Sequence, residues 1–304
     1  MDMLHPGGPP LVSDGGLATE LEARGHDLSD ALWSAGLLAD DPDEIRAAHL
    51  AFYRAGASIA TTASYQASFD GYAARGINRA GAARLMRRSV ELADAARAEL
   101  ADDSRARWVA ASVGPYGAAL ADGSEYRGRY GLSVAELTAW HRPRMEVLAE
   151  AGADILALET VPDVDEGEAL AAAVAGLGVR AWLTYSVMGD RTRAGQRLAD
   201  AFAVAATVDE IVAVGVNCCD PADVSVAIAI ACQVTDKPVI VYPNSGEGWD
   251  AERRVWVGPS RYCPEYARQW VADGARIVGG CCRVLSADIA KLARALAVGV
   301  GNSI

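Results

Sequence analysis

Cys218 ends the run Ala213-Val214-Gly215-Val216-Asn217-Cys218, and Cys281 and Cys282 end the run Arg276-Ile277-Val278-Gly279-Gly280-Cys281-Cys282. Each run is apolar and β-branched, the pattern of a buried strand, so three thiols are expected on rigid supports at strand ends. Thiolates are soft ligands, and three gathered in one place suit Zn2+ with a fourth position left open for a substrate. The competing reading is ordinary core, because cysteine is among the most buried residue types. Adjacent cysteines after Gly279-Gly280 fit that reading less well, and a disulfide between neighbours would be strained. The close Cys pairs of a zinc finger are absent, so any metal site must be assembled by the fold. On the residues alone, a metal centre and a set of buried thiols both stay open.

The elements that would have to position these thiols can be read from the rest of the chain. Eight short apolar segments are expected to be strands: 11–14, 57–64, 108–113, 155–159, 180–186, 212–217, 238–242 and 276–279. Ala/Leu/Arg/Glu-rich stretches of helical period separate them, the pattern of parallel strands covered by helices. The α/β class follows, and eight such units predict a single-domain (β/α)8 TIM barrel spanning 1–304 with its core at about 11–297. Ala55-Gly56-Ala57, Ala151-Gly152-Ala153 and Asp273-Gly274-Ala275 each close a helical stretch just before a strand. Glycine there suits the left-handed cap that turns a helix back into the sheet.

In such a barrel the chemistry gathers at the C-terminal ends of the strands. Here those ends are polar: Asp14-Gly15-Gly16, Ser64-Tyr65-Gln66, Glu159-Thr160, Asn217-Cys218, Asn244-Ser245 and the cysteine pair. Asp14 or Glu159 taken singly is as well explained by a cap or a structural hydrogen bond. Together, two carboxylates at one mouth could hold the ammonium group of an amino acid.

Composition narrows the partners. The chain has 304 residues, 51% hydrophobic and 22% charged, a normal globular balance. A formal net charge of −12 argues against nucleic acid, which needs clustered Lys and Arg. No basic, apolar leader opens the chain and no apolar run is long enough to span a bilayer, so no membrane role is expected. Six sparse cysteines fit a reducing cytoplasm. Asp14-Gly15-Gly16 is not a dinucleotide fingerprint, and no nucleotide cofactor is implied. Of the four histidines, none falls in the cysteine motifs, and His141 reads as a packing or capping residue.

The chain resembles the homocysteine S-methyltransferases from about residue 14 to residue 289. The resemblance is carried by Asp14-Gly15-Gly16-Leu17-Ala18-Thr19-Glu20, Leu32-Trp33-Ser34-Ala35, Ala63-Ser64-Tyr65-Gln66-Ala67-Ser68, Gly114-Pro115-Tyr116-Gly117-Ala118, Ala121-Asp122-Gly123-Ser124-Glu125-Tyr126, Glu159-Thr160-Val161-Pro162, Asn217-Cys218, Tyr242-Pro243-Asn244-Ser245-Gly246-Glu247 and Gly279-Gly280-Cys281-Cys282-Arg283. It implies Zn2+ on Cys218, Cys281 and Cys282, and homocysteine held through its amine by Asp14 and Glu159. Gly15, Gly16, Tyr65, Asn217 and Asn244 complete the expected substrate contacts.

The stretches around Tyr116 and Tyr126 look most like the short members that use S-methylmethionine. The resemblance therefore implies a sulfonium donor, S-methylmethionine or less efficiently S-adenosylmethionine, whose methyl passes to the homocysteine thiolate to give methionine. Tyr116, Tyr126 and Trp249 are donor-side candidates through their aromatic faces, with Glu125 and Glu247 as nearby anions. Alternatives are a non-catalytic zinc or homocysteine-binding barrel, and a related methyltransferase working on selenocysteine or with betaine. Without a recognisable oligomerising extension, a monomer is expected. Two features depart from the pattern: Cys219 directly follows a presumed ligand, and 187–197 carries no motif that aligns. Cys219 is expected to point away from Cys218.

Overall fold

The computed structural model describes residues 3–5, 8–28, 32, 34–250 and 255–299, with side chains described for all of these except 249, 250, 255, 256, 298 and 299. Eight strands run in parallel: β1 (Leu11–Val12), β2 (Ile59–Thr61), β3 (Trp108–Val113), β4 (Ile155–Val161), β5 (Ala181–Tyr185), β6 (Ile211–Asn217), β7 (Val239–Tyr242) and β8 (Ala275–Val278). All eight fall on the segments expected from the sequence. Each pairs with the next from β2 to β8, and β8 pairs with β1. The seam between β1 and β2 is closed by one parallel bridge from Ser13 to Ile59. Two backbone bonds flank it, Ser58 N–H to Val12 O at 2.7 Å and Asp14 N–H to Ile59 O at 3.0 Å. The arrangement is a (β/α)8 barrel.

Helices cover the strands for reasons visible locally. Helix Pro42–Ala55 starts with proline in its first turn and stops at Gly56, whose φ of 109° lets its N–H reach the last carbonyls. Gly152 and Gly274 are also left-handed, as the repeated signature predicted. Helix Val134–Glu150 is opened by a capping box between Ser133 and Glu136. Two short hairpins were not expected: Val187–Met188 with Arg191–Thr192, and Gly248–Asp250 with Val255–Val257. The first lies in the stretch where no motif aligned.

Strand alternation sorts the core into two shells. Val109, Leu156, Leu158, Leu183, Val214, Val216, Val239 and Val241 point outward and pack under the helices. Ile59, Ala110, Ile155, Ala157, Trp182, Ala213, Ile240, Tyr242 and Ile277 fill the barrel interior, with Met3 packed against them. Gly215 falls on the inward phase of β6, where an added Cβ would lie 1.7 Å from Ile240 O, so β6 and β7 approach this closely only because the side chain is missing. Continuing the inward phase one step towards the C-terminal ends brings Thr61, Ser112, Glu159, Thr184 and Asn217 to the top of the interior. That layer is the floor of the mouth.

Candidate metal centre and substrate cavity

Cys218 would point into the outer shell if β6 simply continued. Instead its φ is 52°, and this left-handed step breaks the alternation. Its sulfur reaches the mouth, while Cys219 takes the outward position and is fully buried among the outer-shell residues. That is the orientation expected for Cys219, whose thiol is inert there because burial raises its pKa far above the usual range. Cys281 and Cys282 follow β8 on a loop tied down at every step. Gly280 N–H bonds Asp14 O at 3.0 Å, Cys281 N–H bonds Pro243 O at 2.8 Å, and Cys282 N–H bonds Asn244 Oδ1 at 3.1 Å. Gly15 and Gly16 let the loop after β1 lie against this one, since a Cβ on either would sit 2.3 Å from Val284 O or 2.6 Å from Cys281 O.

The three sulfurs converge. Cys218 Sγ is 3.8 Å from Cys282 Sγ, Cys282 Sγ is 4.0 Å from Cys281 Sγ, and all three lie within 4.8 Å of one another with no disulfide among them. Ligands on a tetrahedral ion with metal–sulfur bonds of about 2.3 Å are about 3.8 Å apart, so the trio fits a tetrahedral metal with one position to spare. This is the one His/Cys/Asp/Glu group of metal-holding geometry among the described residues. Cys232 and Cys263 stand outside it. Hydrogen bonds from Cys281 and Cys282 hold the Cys218 thiol well below its ordinary range, and donating those bonds pushes both neighbours up. A fourth contact comes from Tyr126, whose hydroxyl lies 3.2 Å from Cys218 Sγ.

Beside the sulfurs is a cavity of about 110 Å³ lined by Asp14, Gly15, Gly16, Tyr65, Gln66, Tyr126, Glu159, Thr160, Tyr242 and the three cysteines, among others. Asp14 accepts the Thr61 N–H at 2.6 Å and the Thr61 hydroxyl at 3.0 Å, so it also pins the β1–β2 seam. Glu159 accepts from the Ser112 hydroxyl. Both carboxyls are buried, and that desolvation raises each pKa to about 7 despite these hydrogen bonds. Below them Trp182 donates to the Tyr242 hydroxyl at 3.1 Å, and Thr184 shares that hydroxyl at 2.9 Å, giving a buried, hydrogen-bonded floor.

Other expected contacts fall differently. Asn217 is fully buried and its hydrogen bonds are committed: Oδ1 accepts Thr160 N–H at 2.7 Å and the Thr184 hydroxyl at 2.8 Å, and Nδ2 donates to Thr160 Oγ1 at 2.7 Å. These bonds hold Thr160 at φ 60°, a strained setting for a β-branched residue. Neither Asn217 nor Asn244 lines the cavity, and both brace the backbone that carries the cysteines. Tyr116 does not line it either, because its ring packs against Tyr130 at 5.3 Å and Trp140 at 4.9 Å. The side chain of Trp249 lies outside those described, as does Trp33. Glu247 is already paired with Arg283 and the Ser245 hydroxyl. Glu125 is 7% exposed, and its Oε2 has no partner. Thr61, Ser112 and Thr184 were missed by the sequence reading, although period-two alternation back from the strand ends would have flagged them.

Fold and centre together define a parallel barrel with a three-thiol metal-binding site at the C-terminal ends of its strands. The chain belongs to the homocysteine S-methyltransferase family, whose model matches residues 11–296, and it is a methyltransferase of that family. It is 48% identical to the homocysteine S-methyltransferase of Escherichia coli over 290 residues, covering 93% of this chain and 94% of that one. It is 40% identical to the selenocysteine Se-methyltransferase of Brassica oleracea, covering 97% and 91%. Among solved structures, the metallated form of the homocysteine methyltransferase MmuM from Escherichia coli superposes with a TM-score of 0.87 at 44% identity, covering 96% of this chain and 99% of that one. No helix among the described residues is long and apolar enough to cross a membrane.

Proposed function

We propose that the protein moves a methyl group from a sulfonium donor, S-methylmethionine foremost and S-adenosylmethionine second, to homocysteine, with Zn2+ held by Cys218, Cys281 and Cys282. The observation that carries this reading is the sulfur triangle, with sides of 3.8 and 4.0 Å, bordering the cavity of Asp14 and Glu159. A zinc ion held there would supply one thing, ionisation of the homocysteine thiol at neutral pH.

The chain's own groups do the rest. Asp14 and Glu159 take the substrate ammonium, which gives both buried carboxylates the counter-charge they lack in the free protein. Thr61 and Ser112 fix the two carboxyl groups in orientation, so the amino acid is held by its amine with its sulfur towards the cysteines. The Trp182–Thr184–Tyr242 floor excludes water beneath it. Tyr65 and Tyr126 present aromatic walls suited to a cation, and Glu125, beside Tyr126 in the chain, has one buried carboxyl oxygen without a hydrogen-bond partner. With acceptor and donor so aligned, the homocysteine sulfur forms the new bond to the methyl carbon. The broken bond's electron pair returns to the sulfonium sulfur, leaving a neutral thioether.

With S-methylmethionine, both products are methionine. Selenocysteine is a reasonable second acceptor, supported by the 40% identical relative named for that activity. We further read the chain as one domain over 1–304, acting as a monomer in a reducing cytoplasm that keeps the three thiols free. The test is a donor panel of S-methylmethionine, S-adenosylmethionine and betaine with homocysteine or selenocysteine, metal content being measured on the same sample. Turnover with betaine alone would overturn the donor assignment.

A further inference from the structure

Behind the donor side of the mouth, outside the barrel wall, lies a buried ionic chain that no role in the site accounts for. Arg144, His141 and Glu166 are 2%, 0% and 0% exposed. Arg144 sits in mid-helix on Val134–Glu150 and donates to three acceptors: Ala67 O at 3.2 Å, Gly114 O, and His141 Nδ1 at 3.1 Å. Since Nδ1 accepts, the proton of a neutral imidazole is on Nε2, which lies 2.9 Å from Glu166 Oε1. Burial pushes His141 down to about 4, so it is a neutral link between a cation and an anion. Glu166 in turn accepts the Tyr116 N–H at 2.5 Å and the Tyr130 hydroxyl at 3.2 Å.

Each end of this chain grips a mouth loop. Ala67 O belongs to the loop after β2 that carries Tyr65 and Gln66. Gly114 packs against Tyr65, where an added Cβ would be 2.6 Å from the Tyr65 carbonyl oxygen and 2.7 Å from two ring carbons. At the other end, Tyr116 opens the short helix Tyr116–Leu120, and Gly117 in that helix lies against the backbone of Ser124 and Glu125, with an added Cβ only 2.4 Å from Glu125 N. The next residue is Tyr126. The Trp140 ring, under the Arg144 guanidinium at 4.6 Å and edge-on to Tyr116, closes the circuit. None of Arg144, His141 or Glu166 lines the cavity.

We infer that Arg144, His141 and Glu166 are positioning residues that set the two aromatic walls, Tyr65 and Tyr126, against which the methyl donor seats. Two buried charges are an expensive way to hold a fold together, and apolar replacement of such pairs often costs nothing. What this chain provides is directional: it joins a backbone carbonyl of the loop after β2 to a carbonyl and an N–H of the loop after β3. Asp14 and Glu159, which take the homocysteine ammonium, are bonded to Thr61 and Ser112 and not to this chain, so homocysteine depends on it less than the donor does. The inference rests on the proposed function for the identity of the donor, not for the split it predicts.

The experiment compares Arg144→Met, Arg144→Lys, Glu166→Gln and the double variant Arg144→Met/Glu166→Gln with the parent, measuring KM for donor and for homocysteine, kcat and zinc per chain. The expected result is a donor KM raised about tenfold or more in Arg144→Met and Glu166→Gln, with homocysteine KM and zinc at the parent's values. Arg144→Lys should recover part of the loss. The double variant, freed of the uncompensated charge, should be folded and still show the raised donor KM, even if either single variant is too unstable to assay. Donor and homocysteine KM moving together, zinc falling with them, or a double variant with the parent's donor KM would overturn the inference. The parent's own turnover with each donor tests the proposed function separately, because the variant-to-parent ratio is read with whichever donor the parent uses.

Discussion

The Tyr126 hydroxyl lies 3.2 Å from Cys218 Sγ, although the two residues are 92 positions apart in the chain. The nearby Cys218 charge and then burial push the phenol's ionisation far above its ordinary range, so the hydroxyl keeps its proton and donates. A ligand sulfur that accepts a hydrogen bond is fixed in orientation, and losing such a partner typically weakens metal binding. Tyr126→Phe should therefore lower metal affinity about tenfold or more in chelator competition while keeping the ring for the donor. Tyr126→Ala should in addition raise donor KM. Unchanged chelator competition in the Phe variant would show that the contact does not tune the centre.

The two buried carboxyls make substrate binding depend on pH. Asp14 and Glu159, each raised to about 7 by burial, are mostly protonated below that pH and mostly ionised above it. Methionine, the product, carries the same ammonium as homocysteine without a titrating thiol. Its inhibition constant should fall as pH rises from about 5.5 to 8, because only the ionised carboxyls attract the ammonium. Asp14→Asn and Glu159→Gln should flatten this curve and each weaken binding by about 1.5–3 kcal/mol, with zinc retained. A flat curve for the parent would remove these two residues from the ammonium site.

His49 gives a separate test on stability. It is fully buried in helix Pro42–Ala55, neither ring nitrogen has a hydrogen-bond partner, and burial lowers its pKa to about 4. The unfolded chain takes up this proton near 6.5, so the stability due to a neutral His49 is present above 6.5 and lost as pH falls towards 4. Asp14 and Glu159 act in the opposite sense, their raised values removing stability as pH rises to about 7. The variant-to-parent difference isolates the histidine. His49→Leu should gain in Tm relative to the parent as pH is lowered from 7.5 to 5, whereas a constant difference would contradict the assignment.

The barrel and its chemistry were legible in different degrees. Eight strands, the helix-ending glycines and the cysteine trio could be read because each is written in local apolar runs or local turn residues. Asn217 shows where that stops. Its place before Cys218 suggested substrate, yet its amide is spent on Thr160 and Thr184, partners 57 and 33 residues away that only the pairing of β4, β5 and β6 brings near. The left-handed settings of Thr160 and Cys218 were equally hidden, since neither residue type favours φ above zero and both conformations are imposed by tertiary contacts. Tyr116 shows a related effect: its ring packs on Trp140 and Tyr130, contacts made by distant segments, and does not line the cavity.

That placement of Asn217 can be checked. Asn217→Ala leaves the buried Thr160 N–H and Thr184 hydroxyl without their acceptor, which should cost about 2 kcal/mol or more in denaturant unfolding. A substrate contact alone would instead raise homocysteine KM with no change in stability, and that result would restore the reading from sequence.

The most direct test of the whole account is methionine formation and zinc content measured together in the parent and in Cys281→Ala. The parent should hold one zinc per chain and convert homocysteine and S-methylmethionine into two methionines without cobalamin or folate. Cys281→Ala should lose both the metal and the reaction. Full zinc retention in Cys281→Ala, or methyl transfer by the metal-free parent, would contradict the three-thiol centre as the seat of the chemistry.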